Sequence, residues 1–234
     1  MNHYQTYING KWVDGTSGHI LYAVNPATGQ AIGAVEENSL ADTEEAIRAA
    51  KTSFYVTREW RDMDVQKRSD ILLKIADMIE EELEEIARLE SMDNGKPLRE
   101  AEADVDDAVH CFRYYAGLIR TPQGGVCGVN SNFGPMHSYT VHEPVGVCAL
   151  ITPWNFPFLM GVWKVAPALA AGNSIVFKPS SETVLSTISL FRILDRAGLP
   201  AGTANLVIGP GRTVGNLLAE SHDVDLVSFT GSTA

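Results

Sequence analysis

Two hydrophobic periods alternate along this chain of 234 residues. Near the start, Tyr7–Val13 and Ile20–Val24 are short extended pieces separated by the Asp14-Gly15 turn signal and followed by the turn formers Asn25-Pro26 and Thr28-Gly29, a pattern that predicts a surface hairpin. Ser39 and Asp42 then form a capping pattern ahead of Ala46, Ile47, Ala50 and Phe54, which predicts a first helix from about residue 40. Ile71, Leu72, Ile75, Ile79, Leu83, Ile86 and Ala87 recur at three- and four-residue steps and predict one long second helix that stops near Asn94-Gly95. Val105, Ala108, Val109, Phe112, Tyr115 and Ile119 form the stripe of a third, closed by Thr121-Pro122. Val126–Val129 and Ser138–Glu143, joined by Asn130–Pro135, predict a hairpin arm able to pair with another subunit.

From Val145 the pattern changes. Val145–Ile151 and Ser174–Lys178 are apolar without alternation, as are Ala204–Ile208 and Leu226–Phe229, and helical patterns separate them: Pro157–Ala171 with a kink expected at Pro167, Glu182–Ala197 closed by Gly198 and Pro200, and Arg212–Glu220. Strands of this kind spaced by helices predict a doubly wound parallel sheet of the α/β class covered on both faces. Ligands in that architecture bind beyond the carboxyl ends of the strands.

Charge and composition narrow the function. There are 18 Lys and Arg against 29 Asp and Glu, a formal net charge of −11, which disfavours nucleic acid as a partner. No run approaches the roughly 20 apolar residues of a spanning helix. Met1–Gly10 has no basic and apolar signal pattern, so the expected location is cytoplasmic, with no membrane partner. Cys111, Cys127 and Cys148 show no metal-ligand spacing, and His137 and His142 would face opposite ways on a strand, so no metal is expected. Twelve acidic residues between 80 and 107, against Arg88, Lys96 and Arg99, read as the solvated faces of two helices, or else as an acidic docking surface.

The predicted strand ends carry the candidate chemistry. They are Thr152-Pro153-Trp154-Asn155-Phe156-Pro157, Lys178-Pro179-Ser180-Ser181-Glu182, the glycine-bearing stretch Gly209 to Gly215, and Phe229-Thr230-Gly231-Ser232. Gly209, Gly211 and Gly215 let backbone approach a ligand, though as GxGxxxG and not the dinucleotide fingerprint GxGxxG. Ser232 suits a phosphate contact or an ordinary turn. Lys178 suits ribose hydroxyls or a phosphate, or is a snorkelling surface lysine. Asn155 offers an amide donor to an oxyanion, or caps the helix that begins at Pro157.

Taken in order, Glu143-Pro144-Val145-Gly146-Val147, Thr152 to Pro157, Ala166-Pro167-Ala168-Leu169 with Gly172-Asn173, Lys178-Pro179-Ser180, Gly198-Leu199-Pro200 and Phe229 to Ser232 closely resemble the NAD(P)-dependent aldehyde dehydrogenase superfamily. Tyr7-Ile8-Asn9-Gly10-Lys11-Trp12 and Asn25-Pro26-Ala27-Thr28-Gly29 are similar to its N-terminus, and the flavour is that of betaine-aldehyde-type members. The resemblance implies a Rossmann-like core over residues 144–234, an N-terminal hairpin and helices over 1–122, and an oligomerisation arm over 123–143 that makes a homo-oligomer. It implies a small-molecule aldehyde as substrate and NAD or NADP as cofactor. The mechanism the resemblance implies is attack of a cysteine thiolate on the aldehyde, hydride transfer from the thiohemiacetal to nicotinamide, and hydrolysis of the acyl-enzyme with a glutamate as base.

By the same resemblance Asn155 is the catalytic oxyanion donor, Trp154 a cofactor-pocket residue, Lys178 the ribose lysine and Ser232 a pyrophosphate contact. Thr152, Pro153, Ser180, Ser181, Glu182, Gly211, Gly215, Phe229, Thr230 and Gly231 complete the expected cofactor set. Lys164 matches a family lysine whose role is proton relay or structure. NAD-preferring members commonly carry a glutamate three residues after the matched lysine; here that position is Ser181, with Glu182 next, so tolerance of NADP is expected.

The family's Glu-Leu-Gly-Gly-Lys and Gly-Gln-x-Cys segments, which hold its base and nucleophile, are not in this sequence. Cys111, Cys127 and Cys148 fall in predicted helix, hairpin and mid-strand, where packing is the expected role. The resemblance therefore leads to the expectation that the chain corresponds to the N-terminal half of such an enzyme and is inactive alone. The other class is a stand-alone dinucleotide-binding or subunit-docking module.

Overall fold

A computed structural model describes residues 2–121 and 124–232; Met1, Thr233, Ala234 and the expected domain boundary at Pro122 and Gln123 lie outside the described residues. Strands β1 (Asn2–Tyr4), β2 (Thr6–Ile8), β3 (Lys11–Val13), β4 (Ile20–Asn25) and β5 (Gln30–Glu36) come first. Helices α1 (Leu40–Thr52), α2 (Val65–Glu81), α3 (Leu83–Asn94) and α4 (Leu98–Leu118) follow, and then the arm strands β6 (Val126–Ser131) and β7 (Gly134–Tyr139). The last part is β8 (Val147–Ile151), α5 (Pro157–Ala170), β9 (Ser174–Lys178), α6 (Leu185–Ala197), β10 (Ala204–Leu206), α7 (Asn216–Glu220) and β11 (Leu226–Phe229).

The main sheet runs β11-β8-β9-β10-β2-β3, with its first four strands parallel and β2 and β3 antiparallel at one edge. Its apolar runs are explained by two cores. Cys148, Leu150, Ile175, Phe177 and Leu206 face α5, α6 and the outer helices α2 to α4, whereas Val147, Ala149 and Val176 face α1 and Val214 and Leu218. Alternate side chains along a strand point to opposite faces, so a strand covered on both sides must be apolar at every position. Burying each Leu, Ile or Phe stabilises the fold by about 1.5–3 kcal/mol. Among the described residues no helix is long and apolar enough to cross a membrane.

Several local expectations are corrected. Tyr7–Val13 is not one strand: Asn9 (φ 53°) and Gly10 (φ 76°) make a two-residue reversal that pairs Ile8 with Lys11. The Ile20–Val24 piece pairs with β5, a strand absent from the sequence reading, across a turn in which Asn25 accepts from the Ala27, Thr28 and Gly29 amides. The long second helix breaks at Glu82 (φ −102°, ψ 11°) into α2 and α3, and Arg196 of α6 pairs with that residue. α3 does stop at Gly95, in the left-handed conformation that glycine adopts without strain. The second arm strand lies at Gly134–Tyr139 instead of Ser138–Glu143, because Asn130 pairs with Pro135 and the reversal sits at Asn132-Phe133. Residues 211–215 form a π-helical turn ahead of α7.

The acidic stretch is also only partly solvated. Glu90, Asp93 and Asp104 are buried, and each has partners on the protein.

Candidate functional site

The carboxyl ends of β8, β9 and β11 open onto one cleft of about 610 Å³. Such a volume lies within the usual range for a small-molecule or cofactor site. Thr152, Pro153, Trp154, Asn155, Lys178, Ser180, Ser181, Glu182, Gly211, Phe229, Thr230, Gly231 and Ser232 line it, together with Ile151 and Met160. Of the expected set, Gly215 alone is not in the lining. It is buried in the π turn, where it faces the stem of Lys178, and a Cβ there would sit 3.7 Å from Lys178 Cε.

The loop after β8 continues the sheet pairing for one residue, with the Thr152 N–H donating to the Lys178 carbonyl (3.2 Å). It then turns outward and leaves Trp154, Asn155 and Phe156 exposed at the mouth. Capping is not what Asn155 does. Phe156 is the N-cap of α5 and has no side-chain cap bond, while the Phe158 N–H donates to Glu90 Oε2 (3.0 Å). The Asn155 amide donates to no group among the described residues.

Lys178 is not a snorkelling surface lysine. It is 4% exposed, its Nζ donates to the Pro179 carbonyl (2.9 Å), and burial brings its pKa down to about 8, an effect that Glu37 opposes. No carboxylate lies within ion-pair distance of it among the described residues. A buried ammonium left with one backbone acceptor is a ready partner for hydroxyls or an anion in the cleft.

On the far side of the cleft, the Thr230 N–H donates to the Ile151 carbonyl (3.1 Å), and Phe229 offers an exposed ring. A Cβ at Gly231 would stand 2.5 Å from that ring's Cζ, so any side chain there would have to displace the Phe229 ring. Ser181 Oγ donates to the Gly209 carbonyl (3.2 Å), and Glu182 points to solvent. Lys164 Nζ bonds Ser228 Oγ (2.9 Å), and burial lowers its pKa.

None of the three cysteines lines the cleft. Cys148 is buried and Cys111 half-buried, and burial pushes both thiols up to about 11. Among the described residues no three His, Cys, Asp or Glu side chains are grouped to hold a metal ion. Two aromatic faces, a buried ammonium, hydroxyls and a free amide donor thus meet at one mouth, a set that suits a dinucleotide in extent and polarity. Sequence reasoning missed the buried acids Glu90, Asp93 and Asp104, since no local pattern separates them from their solvated neighbours.

The sequence model described as aldehyde dehydrogenase family matches residues 12–234. The chain is 47% identical over 225 residues to a betaine aldehyde dehydrogenase of Bacillus subtilis (strain 168), covering 96% of this chain and 45% of that protein. It is 42% identical over 230 residues to human mitochondrial aldehyde dehydrogenase, covering 98% and 44%. A solved betaine aldehyde dehydrogenase of Staphylococcus aureus in complex with NAD+ superimposes with a TM-score of 0.91 at 42% identity, over 96% of this chain and 44% of that one. The chain thus spans a little under half the length of the relatives it matches.

Proposed function

The chain belongs to the aldehyde dehydrogenase family, and from that premise we propose that it is the dinucleotide-binding part of an enzyme that oxidises an aldehyde to a carboxylic acid with NAD+ or NADP+. The observation that carries this reading is the convergence of Lys178, Asn155, Trp154, Phe229 and Ser232 on one cleft at the ends of parallel strands. When bound, the nicotinamide accepts hydride. The chain's own residues bind the cofactor and meet the developing charge: Lys178 meets ribose hydroxyls, Ser232 the pyrophosphate, Trp154 and Phe229 the flat faces, and Asn155 the oxygen on which negative charge develops. A betaine-type aldehyde is the favoured substrate class, by similarity to the B. subtilis and S. aureus relatives. A cytoplasmic location belongs to the same reading.

A second, non-catalytic reading rests on the arm. Phe133 is 97% exposed at the reversal of the arm, and Val126 and Tyr139, a facing pair on its two strands, are exposed as well, so the arm suits contact with a second copy of this chain in a homo-oligomer.

Binding has a pH signature. Lys178 in the free chain has a pKa near 8, below its ordinary 10.5. A bound anion holds the proton on it and raises that value, so affinity is expected to fall by up to about tenfold per pH unit as pH rises from the free pKa towards the bound one. Fluorescence titration of the chain with NADP+ between pH 6.5 and 9.5 checks this, and Lys178→Gln should flatten the profile. A slope that survives the substitution sinks the ribose or phosphate role of Lys178.

Cofactor choice is a second readout. With Ser181 in the family's glutamate position, no carboxylate clashes there with a 2′-phosphate. At an effective dielectric of 20 and 4 Å, such a clash is about 4 kcal/mol before screening. The chain is expected to bind NADP+ at least as well as NAD+, and Ser181→Glu to favour NAD+ by about tenfold or more after screening. Strong NAD+ preference in the parent, unmoved by Ser181→Glu, would show that another group, such as Glu182, sets the choice.

A further inference from the structure

We propose that the C-terminal turn of α3 is a positioning device for the cleft, in which Glu90, Asp93 and Asn94, with Lys96, hold the segment bearing Asn155 and the segment bearing Ser180–Glu182 in fixed relation. The consequence for binding rests on the cofactor reading above; the geometry does not.

Glu90 and Asp93 are three residues apart, so they share one face of α3, and they are 0% and 3% exposed. Neither α5 nor α6 has a side-chain cap on its own flanking residue. α3 supplies both from outside: Glu90 Oε2 accepts the Phe158 N–H (3.0 Å) and Asp93 Oδ2 accepts the Leu185 N–H (2.9 Å). Carboxylates at these two helix N-termini also meet the positive ends of the helix dipoles. Asn94 Nδ2 donates to the Trp154 carbonyl (2.6 Å), and Thr183 Oγ1 reaches the same oxygen (3.3 Å), which ties the two segments to each other.

Lys96 completes the set. Its Nζ bonds the second oxygen of Glu90 (2.9 Å) and Asp104 (2.5 Å), and lies 4.5 Å from the centre of the Phe156 ring. Asn155 is therefore bracketed: the carbonyl before it, the ring after it and the first amide N–H of the helix that follows, that of Phe158, are all held from α3 and its C-terminal loop. Its own side chain stays free to donate. Packing alone does not call for this arrangement. Buried carboxylates are costly, and burial pushes Asp93 up to about 6 and raises Glu90 despite Lys96. What these charges hold in common is the rim of the cleft.

Amide hydrogen exchange on the full chain separates positioning from plain stability. In Asn94→Ala, exchange at Phe158 and Met160, in the first turn of α5, is expected to speed up by about tenfold or more. The melting temperature should move no further than in Ser39→Ala, which removes the cap of α1 remote from these contacts. Glu90→Ala should act likewise at Phe158, and Glu90→Gln, which keeps an acceptor for that amide, should restore protection. Should Glu90→Ala fail to fold, Asn94→Ala still decides. Titration of the same variants with NAD+ is expected to show about tenfold weaker binding in Asn94→Ala and unchanged binding in Ser39→Ala. Exchange that rises only in step with global stability, as in Ser39→Ala, overturns the positioning role whatever the binding result. If the parent binds neither NAD+ nor NADP+ while Asn94→Ala selectively loosens these amides, the cofactor reading fails and the positioning device stands.

Discussion

Purified as it is, the 234-residue chain is expected to reduce neither NAD+ nor NADP+ with any aldehyde above a heat-killed control. The reaction proposed for the family needs a thiolate beside the oxyanion donor. With thiols pushed up to about 11, Cys111 and Cys148 are ionised at neutral pH to roughly one part in ten thousand. Neither lines the cleft, and neither does Cys127, which lies exposed on the arm strand β6. Loss of covalent catalysis costs on the order of 10⁴-fold or more in rate, which places turnover below detection. Aldehyde-dependent absorbance at 340 nm is the measurement. Turnover that disappears in Cys148→Ala would mean that a buried mid-strand thiol is a nucleophile, and the assignment of the cleft would have to be redrawn.

Joined to the remaining part of the B. subtilis betaine aldehyde dehydrogenase, the chain is expected to be active, and Asn155→Ala in that chimera to lower kcat by about 100- to 1000-fold, the usual consequence of losing one oxyanion donor. Dinucleotide affinity and melting temperature should hardly change. A helix-capping asparagine would behave in the opposite way, costing about 1 kcal/mol of stability and little rate. Capping is left to other groups, because Phe156 is the N-cap of α5 and the Phe158 amide goes to Glu90. An unchanged kcat in Asn155→Ala, with both substrates saturating, removes Asn155 from the chemistry.

Much of this cleft is legible in the sequence. Apolar runs such as Val147–Ile151 and Ser174–Lys178 carry their own instruction, since only a strand covered on both faces tolerates them. Once the strands are parallel and spaced by helices, their carboxyl ends must share one edge, and the Trp154-Asn155, Lys178 and Thr230 to Ser232 segments fall there together. The Asn9-Gly10 reversal is equally written in the chain, since Asn-Gly is the strongest short hairpin signal and splits Tyr7–Val13 into two paired strands. β5 was harder to see, because Gln30–Glu36 alternates weakly and pairs on both sides, with β1 and β4.

What the sequence by itself determined is therefore whatever depends on neighbours a few residues away: helix stripes, turn glycines, strand cores and the order of strand ends. Only the tertiary structure decided which charges are buried. Glu90 is one acid among twelve between residues 80 and 107, and its partner amide, Phe158, is 68 residues along the chain; the partner amide of Asp93, Leu185, is 92 residues away. Whether Lys178 snorkels or stays inside was settled in the same way, by the π turn at residues 211–215 folding over its stem. Local pattern reports only the average preference of a charged side chain for water. The free energy of burying it is set by the particular donors and acceptors that distant parts of the chain bring to it, and those exist only once the fold has closed.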